Sequence, residues 1–472
     1  MNMEEKYNKL LYWFREISKV PRNSTKEEKI AEFLCGFAQK RNLSYRRDDL
    51  YNVVINKKAS SGWESKDPII LQAHTDMVCE KTFESTHDFE KDGIEIIETL
   101  EKLTAKDTTL GADDGIGVAT LLLMLDDEEI MHPEIYCLFT TQEEIGMDGA
   151  KFFDYSDINA TYLINVDGEE ENTAIVGCAG GVRVQYEKNV ECTKEKNIMY
   201  KMVISGLYGG HSGVDIDKKR INSNFLTAKI LSKLDNLKIA SFIGGNKDNA
   251  IPNYTEVVFY TTSTDVKEVA TSVVNQFEIV DEDRNLKVDI ELISSPSSMC
   301  LTEDESQHLI SLLINIKQGV IEYSKDVNGL VETSGNVGIV NVSNGKAKIT
   351  ELIRSSDDDK KEIVKDSNNN LAKKYEYSIF ENSSYPGWKY TPNTKIEEAY
   401  IEAYREVHDS QKPIICAIHA GVECGMIYKK MPHLQMISIG PDLTDVHTVN
   451  ETLHLDSCRK FLNTLIRLIE KL

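Results

Sequence analysis

Short apolar runs, each bounded by polar turns, dominate the first third of this 472-residue chain. Runs of this length are typical of strands that are buried on both faces of a parallel sheet. They lie at residues 69–72, 135–140 and 162–166. Amphipathic helical patterns accompany them at residues 6–17 and 25–40, and residues 115–125 predict a helix of small and apolar residues. The alternation of the two patterns predicts an α/β layer fold for this part of the chain.

The pattern changes from about residue 183, where strand-like segments become longer and alternate between apolar and polar residues. Helical patterns separate them, and a Ser-Ser-Tyr-Pro-Gly segment at 383–387 predicts a return to the first domain. A chain of this length exceeds one ordinary hydrophobic core. We therefore expect a discontinuous catalytic domain at residues 1–186 and 388–472, with a second domain inserted at 187–387.

Composition restricts the partners of the chain. The 54 basic and 77 acidic residues give a net charge of −23, which argues against nucleic acid or an anionic membrane as a partner. Nine cysteines without a Cys-x-x-Cys pair fit a reducing compartment. The N-terminus lacks an apolar signal core, and no apolar stretch approaches membrane length. We expect a soluble cytoplasmic protein.

Polar residues that can bind metal follow the predicted strands. His74, the Glu143-Glu144 pair and Asp167 stand at or just after strand ends, and Asp113 lies in a glycine-flanked loop before a helix. The carboxyl ends of parallel strands gather at one sheet edge, so we expect these side chains to meet. Asp76 follows His74 by two residues and shares its face of the strand, which suits a carboxylate that orients a ligating imidazole.

Four clustered carboxylates need a compensating cation. Imidazole and carboxylate ligands suit zinc, with manganese or cobalt as alternatives, and two metals sharing one carboxylate would form a hydrolase centre. His447 is the leading candidate for the remaining ligand, with His419 and His433 as weaker ones. Cys79 is a further candidate, although a buried thiol without a metal is the simpler interpretation.

His211 is flanked by glycines in Gly-Gly-His-Ser-Gly, and we interpret it as a contact to a substrate or an oxyanion. The glycine-containing loop at 111–117 does not predict a phosphate site, because it carries two acids and no lysine.

These motifs together resemble the M20 metallopeptidase family, and within it the group of cytosolic aminoacyl-histidine dipeptidases. The matching segments run in order over nearly the whole chain: 74–78 (His-Thr-Asp-Met-Val), 110–117 (Leu-Gly-Ala-Asp-Asp-Gly-Ile-Gly), 143–147 (Glu-Glu-Ile-Gly-Met), 165–169 (Asn-Val-Asp-Gly-Glu), 176–181 (Val-Gly-Cys-Ala-Gly-Gly), 209–213 (Gly-Gly-His-Ser-Gly), 249–252 (Asn-Ala-Ile-Pro), 385–388 (Tyr-Pro-Gly-Trp), 418–425 (Ile-His-Ala-Gly-Val-Glu-Cys-Gly) and 438–441 (Ser-Ile-Gly-Pro).

The resemblance implies a di-zinc exopeptidase-like mixed sheet with helices on both faces, plus an inserted α+β domain that acts as a lid and forms a homodimer. It implies two zinc ions per chain, with Asp113 bridging them, Asp76 orienting His74, Glu143 as general base and His211 contacting the substrate carbonyl. The ligands that it implies are His74, Asp113, Glu144, Asp167 and His447.

The expected reaction is hydrolysis of dipeptides, of the Xaa-His type, by a metal-bridging hydroxide. Arg354 is the candidate to bind the terminal carboxylate through two hydrogen bonds, and Asn249 and Gly421 are further substrate-binding candidates. Two alternatives stay open: an N-acyl amino acid amidohydrolase on the same centre, and a metal-binding protein without activity.

Three positions depart from the family pattern. Asp114 stands where the group usually has Asn, and Gln142 replaces a common Asp. The segment Asp-Val-His-Thr-Val around His447 replaces the usual Ala-His-Ser-Pro. These departures leave the implied ligands intact and bear on metal preference and substrate range.

Overall fold

The computed structural model describes residues 2–196, 199–293, 298–325, 327 and 329–472. No helix within these residues is both long enough and apolar enough to cross a lipid bilayer. The helices of the described part are α1 (Met3–Ile17), α2 (Glu28–Lys40), α3 (Ala112–Asp126), α4 (Asp148–Phe152), α5 (Ser223–Leu231), α6 (Val266–Val274), α7 (Glu303–Asn315), α8 (Asp358–Lys374), α9 (Lys395–Val407), α10 (Glu423–Lys430) and α11 (Leu455–Lys471), with a 3-10 turn at Asp281–Asp283.

The strands are β1 (Ser44–Arg47), β2 (Val53–Lys57), β3 (Ile69–His74), β4 (Ile96–Glu98), β5 (Lys102–Ala105), β6 (Ile135–Thr140), β7 (Tyr162–Asn165), β8 (Thr173–Cys178), β9 (Gly180–Asn189), β10 (Cys192–Glu195), β11 (Met199–Ser205), β12 (Gly210–His211), β13 (Lys238–Gly244), β14 (Ala250–Ile251), β15 (Thr255–Tyr260), β16 (Lys287–Ile293), β17 (Ser298–Leu301), β18 (Gly319–Tyr323), β19 (Val331–Ser343), β20 (Lys346–Ser355), β21 (Ser378–Tyr385), β22 (Ile414–Ile418), β23 (Gln435–Ser438), β24 (Leu443–Thr444) and β25 (Thr452–His454).

The chain divides into two compact units. The first unit comprises residues 1–177, 390–417 and 422–472, and the second comprises 178–389 and 418–421. The predicted boundary at 186/187 falls inside β9, a strand whose pairing with β20 and β21 places it wholly in the second unit's sheet. A sequence pattern marks a strand more clearly than it marks the sheet to which that strand belongs.

An eight-stranded mixed sheet forms the centre of the first unit, in the order β1-β2-β6-β3-β7-β23-β8-β22. The inner strands β6, β3, β7 and β23 run parallel, and β3 is buried along its whole length. This arrangement confirms the predicted buried strands and the predicted mixed α/β fold. A smaller sheet of the same unit, β24-β25-β5-β4, carries the segment between β24 and β25.

Helices α1, α2, α3, α9 and α11 share one hydrophobic core with these strands. Phe14, Leu34, Leu122, Tyr400 and Phe461 are buried members of this core, one from each helix. Burial of a large apolar side chain contributes about 1.5–3 kcal/mol. The amphipathic patterns at 6–17 and 25–40 therefore correspond to helices α1 and α2, whose apolar faces cover this core.

The second unit is built on an antiparallel sheet in the order β16-β11-β15-β13-β19-β20-β9-β21, with β18 also pairing with β19. The hairpin between β19 and β20 turns at Asn344 and Gly345, which both have positive φ. An Asn-Gly pair tolerates that conformation well, which is why it favours tight hairpins. Helices α5 to α8 contribute to a separate core, so the second unit is an α+β layer structure.

Candidate active site

His74 and Asp113 form the centre of a polar cluster in the first unit. His74 is the last residue of β3, and its side chain is 1% exposed. Its Nε2 lies 3.0 Å from Oδ1 of Asp113 and 3.3 Å from Oδ1 of Asp167. The other Asp113 oxygen, Oδ2, lies 3.0 Å from Nε2 of His447. The Asp113 carboxylate therefore stands between two imidazoles, with one on each oxygen.

Glu144 completes the cluster. Its Oε2 lies 3.0 Å from Nε2 of His447, and its buried Oε1 has no hydrogen-bond partner within the described residues. Ligand atoms of His74, Asp113 and Glu144 all lie within 4.8 Å of one another, a spacing suited to one metal ion. The structure thus brings all five side chains that the sequence singles out as ligands into one place.

Asp76 contacts the opposite side of the His74 ring. Its Oδ1 is 3.5 Å from Nδ1 of His74, and its carboxylate accepts hydrogen bonds from the backbone N–H of Glu143 (3.1 Å), the N–H of Glu144 (3.3 Å) and the Ser24 hydroxyl (2.8 Å). Because donors already surround its oxygens, Asp76 is arranged to hold its neighbours in place. The same carboxylate fixes the backbone of the two glutamates and lies beside the imidazole, whose Nδ1 has no hydrogen-bond partner within the described residues.

The acids of the cluster disfavour one another's charge. Burial raises the pKa of Glu143 well above its usual range, and Asp167, Glu423 and Glu144 raise it further against an opposing effect of His74. Burial also raises the pKa of Asp167, to about 6. A carboxyl group with a raised pKa is suited to exchange protons near neutral pH.

The pKa values of the two imidazoles are raised as well, and for an imidazole this favours the charged form. Hydrogen bonds to Asp113 and Glu144 raise the pKa of His447 to about 10. Burial lowers the pKa of His74, but Asp167 and Asp113 outweigh it and raise the pKa well above its ordinary value. The cluster therefore favours positive charge at both imidazoles, a demand that divalent cations satisfy.

Asp114 neighbours Asp113 in sequence, and its hydrogen bonds go to backbone groups. Its carboxylate accepts hydrogen bonds from the backbone N–H of His74 (3.2 Å) and of Gly117 (3.0 Å). Asp114 thus ties β3 to the first turn of α3. Asp114 is the additional acid relative to the family pattern, and its partners are backbone N–H groups.

Three weaker ligand candidates have other hydrogen-bond partners. The Cys79 thiol contacts the Met77 carbonyl, and burial raises its pKa to about 11, which leaves it protonated. His433 pairs with a backbone carbonyl. His419 belongs to the second unit and bonds to Ser334. Each of these side chains thus contacts a partner outside the five-residue cluster, and they stay weaker candidates than His447.

Three buried charged residues near the cluster were not predicted from the sequence. Glu451 and Arg22 bond to backbone groups of the loop before α3. Glu423 accepts hydrogen bonds from Gln72 and Thr140, and burial raises its pKa to about 8. Their partners are distant in the sequence, so no local sequence motif predicts these contacts.

In the second unit, His211 and Arg354 bring two donors together. Nδ1 of His211 accepts hydrogen bonds from the backbone N–H groups of Gly213 (3.3 Å) and Val214 (3.1 Å). A neutral imidazole with that acceptor carries its proton on Nε2. Burial and the Arg354 charge lower the pKa of His211, which keeps the ring neutral.

Arg354 is 5% exposed, and its Nη2 lies 3.5 Å from Nε2 of His211. Its Nη1 donates to the Tyr385 hydroxyl (2.6 Å), and its Nε has no partner among the described residues. No carboxylate of the described chain forms an ion pair with this guanidinium. Two adjacent donors without an acceptor are suited to bind an oxygen atom of an anionic ligand.

Asn249 and Gly421 also belong to the second unit. The Asn249 carbonyl accepts from the N–H of Ser212, beside the short β12–β14 ladder that holds His211. Gly421 lies against the Tyr385 ring, where a Cβ atom would come within 2.7 Å of it. Asn249 therefore contacts Ser212, the residue after His211, and Gly421 contacts Tyr385, the hydrogen-bond partner of Arg354.

Comparison with known proteins shows the family of the chain. The family model described as peptidase family M20/M25/M40 matches residues 70–471. The chain is 34% identical to the cytosol non-specific dipeptidase of Escherichia coli (strain K12), over 97% of this chain and 96% of that protein. The chain belongs to peptidase family M20/M25/M40.

Solved structures show the same fold. The aminoacylhistidine dipeptidase of Vibrio alginolyticus superposes with a TM-score of 0.92 at 32% identity, covering 98% of this chain and 96% of that one. The aminopeptidase PepT of Bacillus cereus gives a TM-score of 0.56 at 17% identity, with 98% of each chain covered, and supports the fold alone.

Proposed function

We propose that the protein is a cytosolic dipeptidase whose first unit holds two divalent cations. The observation that carries the proposal is the Asp113 carboxylate between the Nε2 atoms of His74 and His447, in a chain that aligns with a dipeptidase over 97% of its length. Asp113 would bridge the two cations. The proposed ligands are His74, Asp113, Glu144, Asp167 and His447.

The donor set fits divalent cations. Imidazole nitrogens and carboxylate oxygens suit zinc, manganese or cobalt, and zinc is the proposed metal. The buried Oε1 of Glu144, without a hydrogen-bond partner in the described chain, is an oxygen that a cation would satisfy. Bound cations supply Lewis-acid polarisation of a carbonyl and a lowered pKa of water.

Glu143 is the proposed general base. It would take a proton from the attacking water and return it to the leaving amine, a role that its raised pKa supports. Asp76 would hold the His74 ring through Nδ1 while fixing the Glu143 backbone. One carboxylate would thus align a ligand and the base.

His211 and Arg354 are the proposed contacts to the substrate oxygens. The Nε2–H of His211 would donate to the scissile carbonyl as negative charge develops there. Arg354 would bind the C-terminal carboxylate, with Asn249 and Gly421 shaping the site around it. Recognition of a free carboxylate favours very short peptides, and Xaa-His dipeptides are the proposed substrates. The second unit is also the proposed dimerisation surface.

The decisive test is Glu143→Gln. The amide retains the shape of the side chain but cannot accept a proton, so we expect turnover to fall by at least about 100-fold while bound metal stays at the wild-type level. Metal content by mass spectrometry and dipeptide hydrolysis, measured on the same preparation, give both readouts. Near-normal turnover in the variant would exclude Glu143 as the base.

A substrate panel separates the neighbouring activities. Xaa-His dipeptides, dipeptides without histidine and N-acetylated amino acids should be compared with and without added zinc or manganese. Preference for the first class supports the aminoacyl-histidine assignment, and equal hydrolysis of the first two indicates a non-specific dipeptidase. Hydrolysis of N-acetylated amino acids alone would favour an amidohydrolase, and inactivity towards all three would contradict the proposal.

A further inference from the structure

Glu451 is a buried carboxylate of the first unit, 2% exposed, and its bonds all go to one stretch of backbone. Its Oε2 accepts from the N–H groups of Leu110 (2.8 Å) and Gly111 (2.9 Å). Its Oε1 accepts from those of Ala112 (2.7 Å) and Asp113 (3.2 Å). A single side chain thus binds four consecutive N–H groups.

These N–H groups belong to the loop that leads into α3 and to its first two residues, where the backbone of Asp113 is not yet helical. The first N–H groups of a helix have no partner within the helix, and a side chain at the preceding position usually satisfies one of them. Here that position is Gly111, which has no side chain to do so. Glu451, which is distant in sequence, accepts these hydrogen bonds instead. Its bond to the N–H of Asp113 fixes the backbone of that residue.

Arg22 holds the same loop from another direction. Its buried guanidinium donates to the carbonyl of Gly111 and to those of Thr75 (3.0 Å) and Asp76 (3.2 Å). Gly111 has a φ of 66°, and a Cβ atom there would come within 2.6 Å of the Arg22 guanidinium. The loop therefore has little freedom to shift between the carboxylate and the guanidinium.

The segment that carries Glu451 also carries His447. Residues 445–451 connect β24 to β25, and the Glu451 N–H closes a turn onto the Thr448 carbonyl (3.1 Å). His447 approaches Oδ2 of Asp113 from this connection, while Glu451 holds the Asp113 backbone. The connection thus determines the position of Asp113 at both its side chain and its main chain.

We propose that Glu451 is a positioning residue of the metal centre, which sets the geometry of the bridging Asp113 relative to His447 and so determines metal affinity. This inference rests on the two-metal centre proposed above. It adds a residue that contacts neither metal nor substrate.

The test is Zn²⁺ binding to EDTA-stripped protein, measured by isothermal titration calorimetry on wild type and Glu451→Gln. The amide can accept from only two of the four N–H groups and directs its own donors at the others. We expect Zn²⁺ to bind about 10- to 100-fold more weakly, as for other residues that orient metal ligands. The Co²⁺-substituted variant should also show an altered visible absorption spectrum.

Glu397→Gln is the matched control, because Glu397 is a buried glutamate on α9 of the same unit that accepts from the Tyr390 hydroxyl. Its Zn²⁺ affinity should equal that of wild type. If Glu451→Gln does not fold, Glu451→Asp keeps the charge with a shorter reach, and a severalfold loss of affinity is expected.

Two results would overturn the inference. A folded Glu451 variant with a lower melting temperature but wild-type Zn²⁺ affinity and Co²⁺ spectrum would show that Glu451 only caps α3. Wild-type protein that binds no Zn²⁺ would remove the proposed metal centre and this inference together. The first result leaves the proposed function intact, so the two failures are distinguishable.

Discussion

The His211–Arg354 pair shows how a single buried charge can indicate a ligand. A guanidinium is rarely buried without a carboxylate partner, since desolvation of an unpaired charge is costly. Arg354 has a hydroxyl and an imidazole beside it and no ion-pair partner among the described residues. We therefore expect Arg354 to bind the substrate carboxylate.

Arg354→Lys tests this expectation. Lysine keeps the charge but loses the paired donors of the guanidinium. A hydrogen bond to a charged group contributes about 1.5–3 kcal/mol, so kcat/KM for dipeptides should fall by about 10- to 100-fold. Dipeptide amides lack the carboxylate and should be affected much less. Steady-state kinetics on matched acid and amide substrates give the comparison.

Arg284→Lys changes an exposed arginine of the same unit and should leave both substrates unaffected. An equal loss of kcat/KM for acids and amides in Arg354→Lys would point to a general disturbance of the unit. That result would contradict carboxylate recognition.

Residues of the candidate site were predictable from sequence where they follow buried strands. His74 and Asp167 stand next to apolar runs, and parallel strands carry such residues to a common edge. Glu451 and Arg22 were not predictable, because their partners are backbone groups brought near only by the fold. His419 was a weaker ligand candidate than His447, and the structure assigns it to the other unit.

Among the elements, strand β20 contains a buried acid whose ionisation opposes folding. Glu351 accepts from the Tyr186 hydroxyl (2.9 Å) and from the Asn368 amide (2.7 Å), yet burial raises its pKa to about 8. Between the unfolded pKa near 4.5 and the folded value, the folded state keeps a proton that the unfolded state has lost. Stability must therefore fall as pH rises through this window.

Glu351→Gln should remove this dependence. The amide mimics the protonated acid, with its oxygen facing Asn368 and its nitrogen facing the Tyr186 oxygen. From the size of the shift, the variant should exceed wild type in stability by up to about 4 kcal/mol near pH 8 and by little near pH 5. Urea unfolding at several pH values measures this difference in the free energy of unfolding. The control variant Glu291→Gln changes a residue on the exposed face of β16 and should not differ from wild type. If the stability difference between Glu351→Gln and wild type does not grow with pH, Glu351 is not protonated in the folded state.

The elements differ in how well the sequence predicts them. Strands β3, β6 and β7 were recognisable because strands buried on both faces are almost wholly apolar. The limits of β9 were not, because its residues alternate in burial and the preceding residues 173–178 form a strand of the other sheet. Alternation of apolar and polar residues indicates a strand but does not show with which strands it pairs.

At the scale of the whole molecule, the two units have separate hydrophobic cores, and all five proposed ligands lie in the first. Metal binding stabilises the state that binds it, by about 2.7 kcal/mol per site at a free concentration of 100 Kd. That stabilisation should be confined to the unit whose opening releases the metal. Removal of metal is therefore expected to loosen one unit and to leave the other unchanged.

Hydrogen–deuterium exchange with and without EDTA measures this directly. Peptides covering 70–76, 110–118 and 162–168 should exchange faster after chelation, because the carboxylates gathered there lose the cations that offset their repulsion. Peptides covering 335–355, from the hairpin of the second unit, should keep their protection, and added Zn²⁺ should restore the first set. Equal loss of protection in both units would mean that they open together. In that case the metal would stabilise the chain as one cooperative body, contrary to the separation of its two cores.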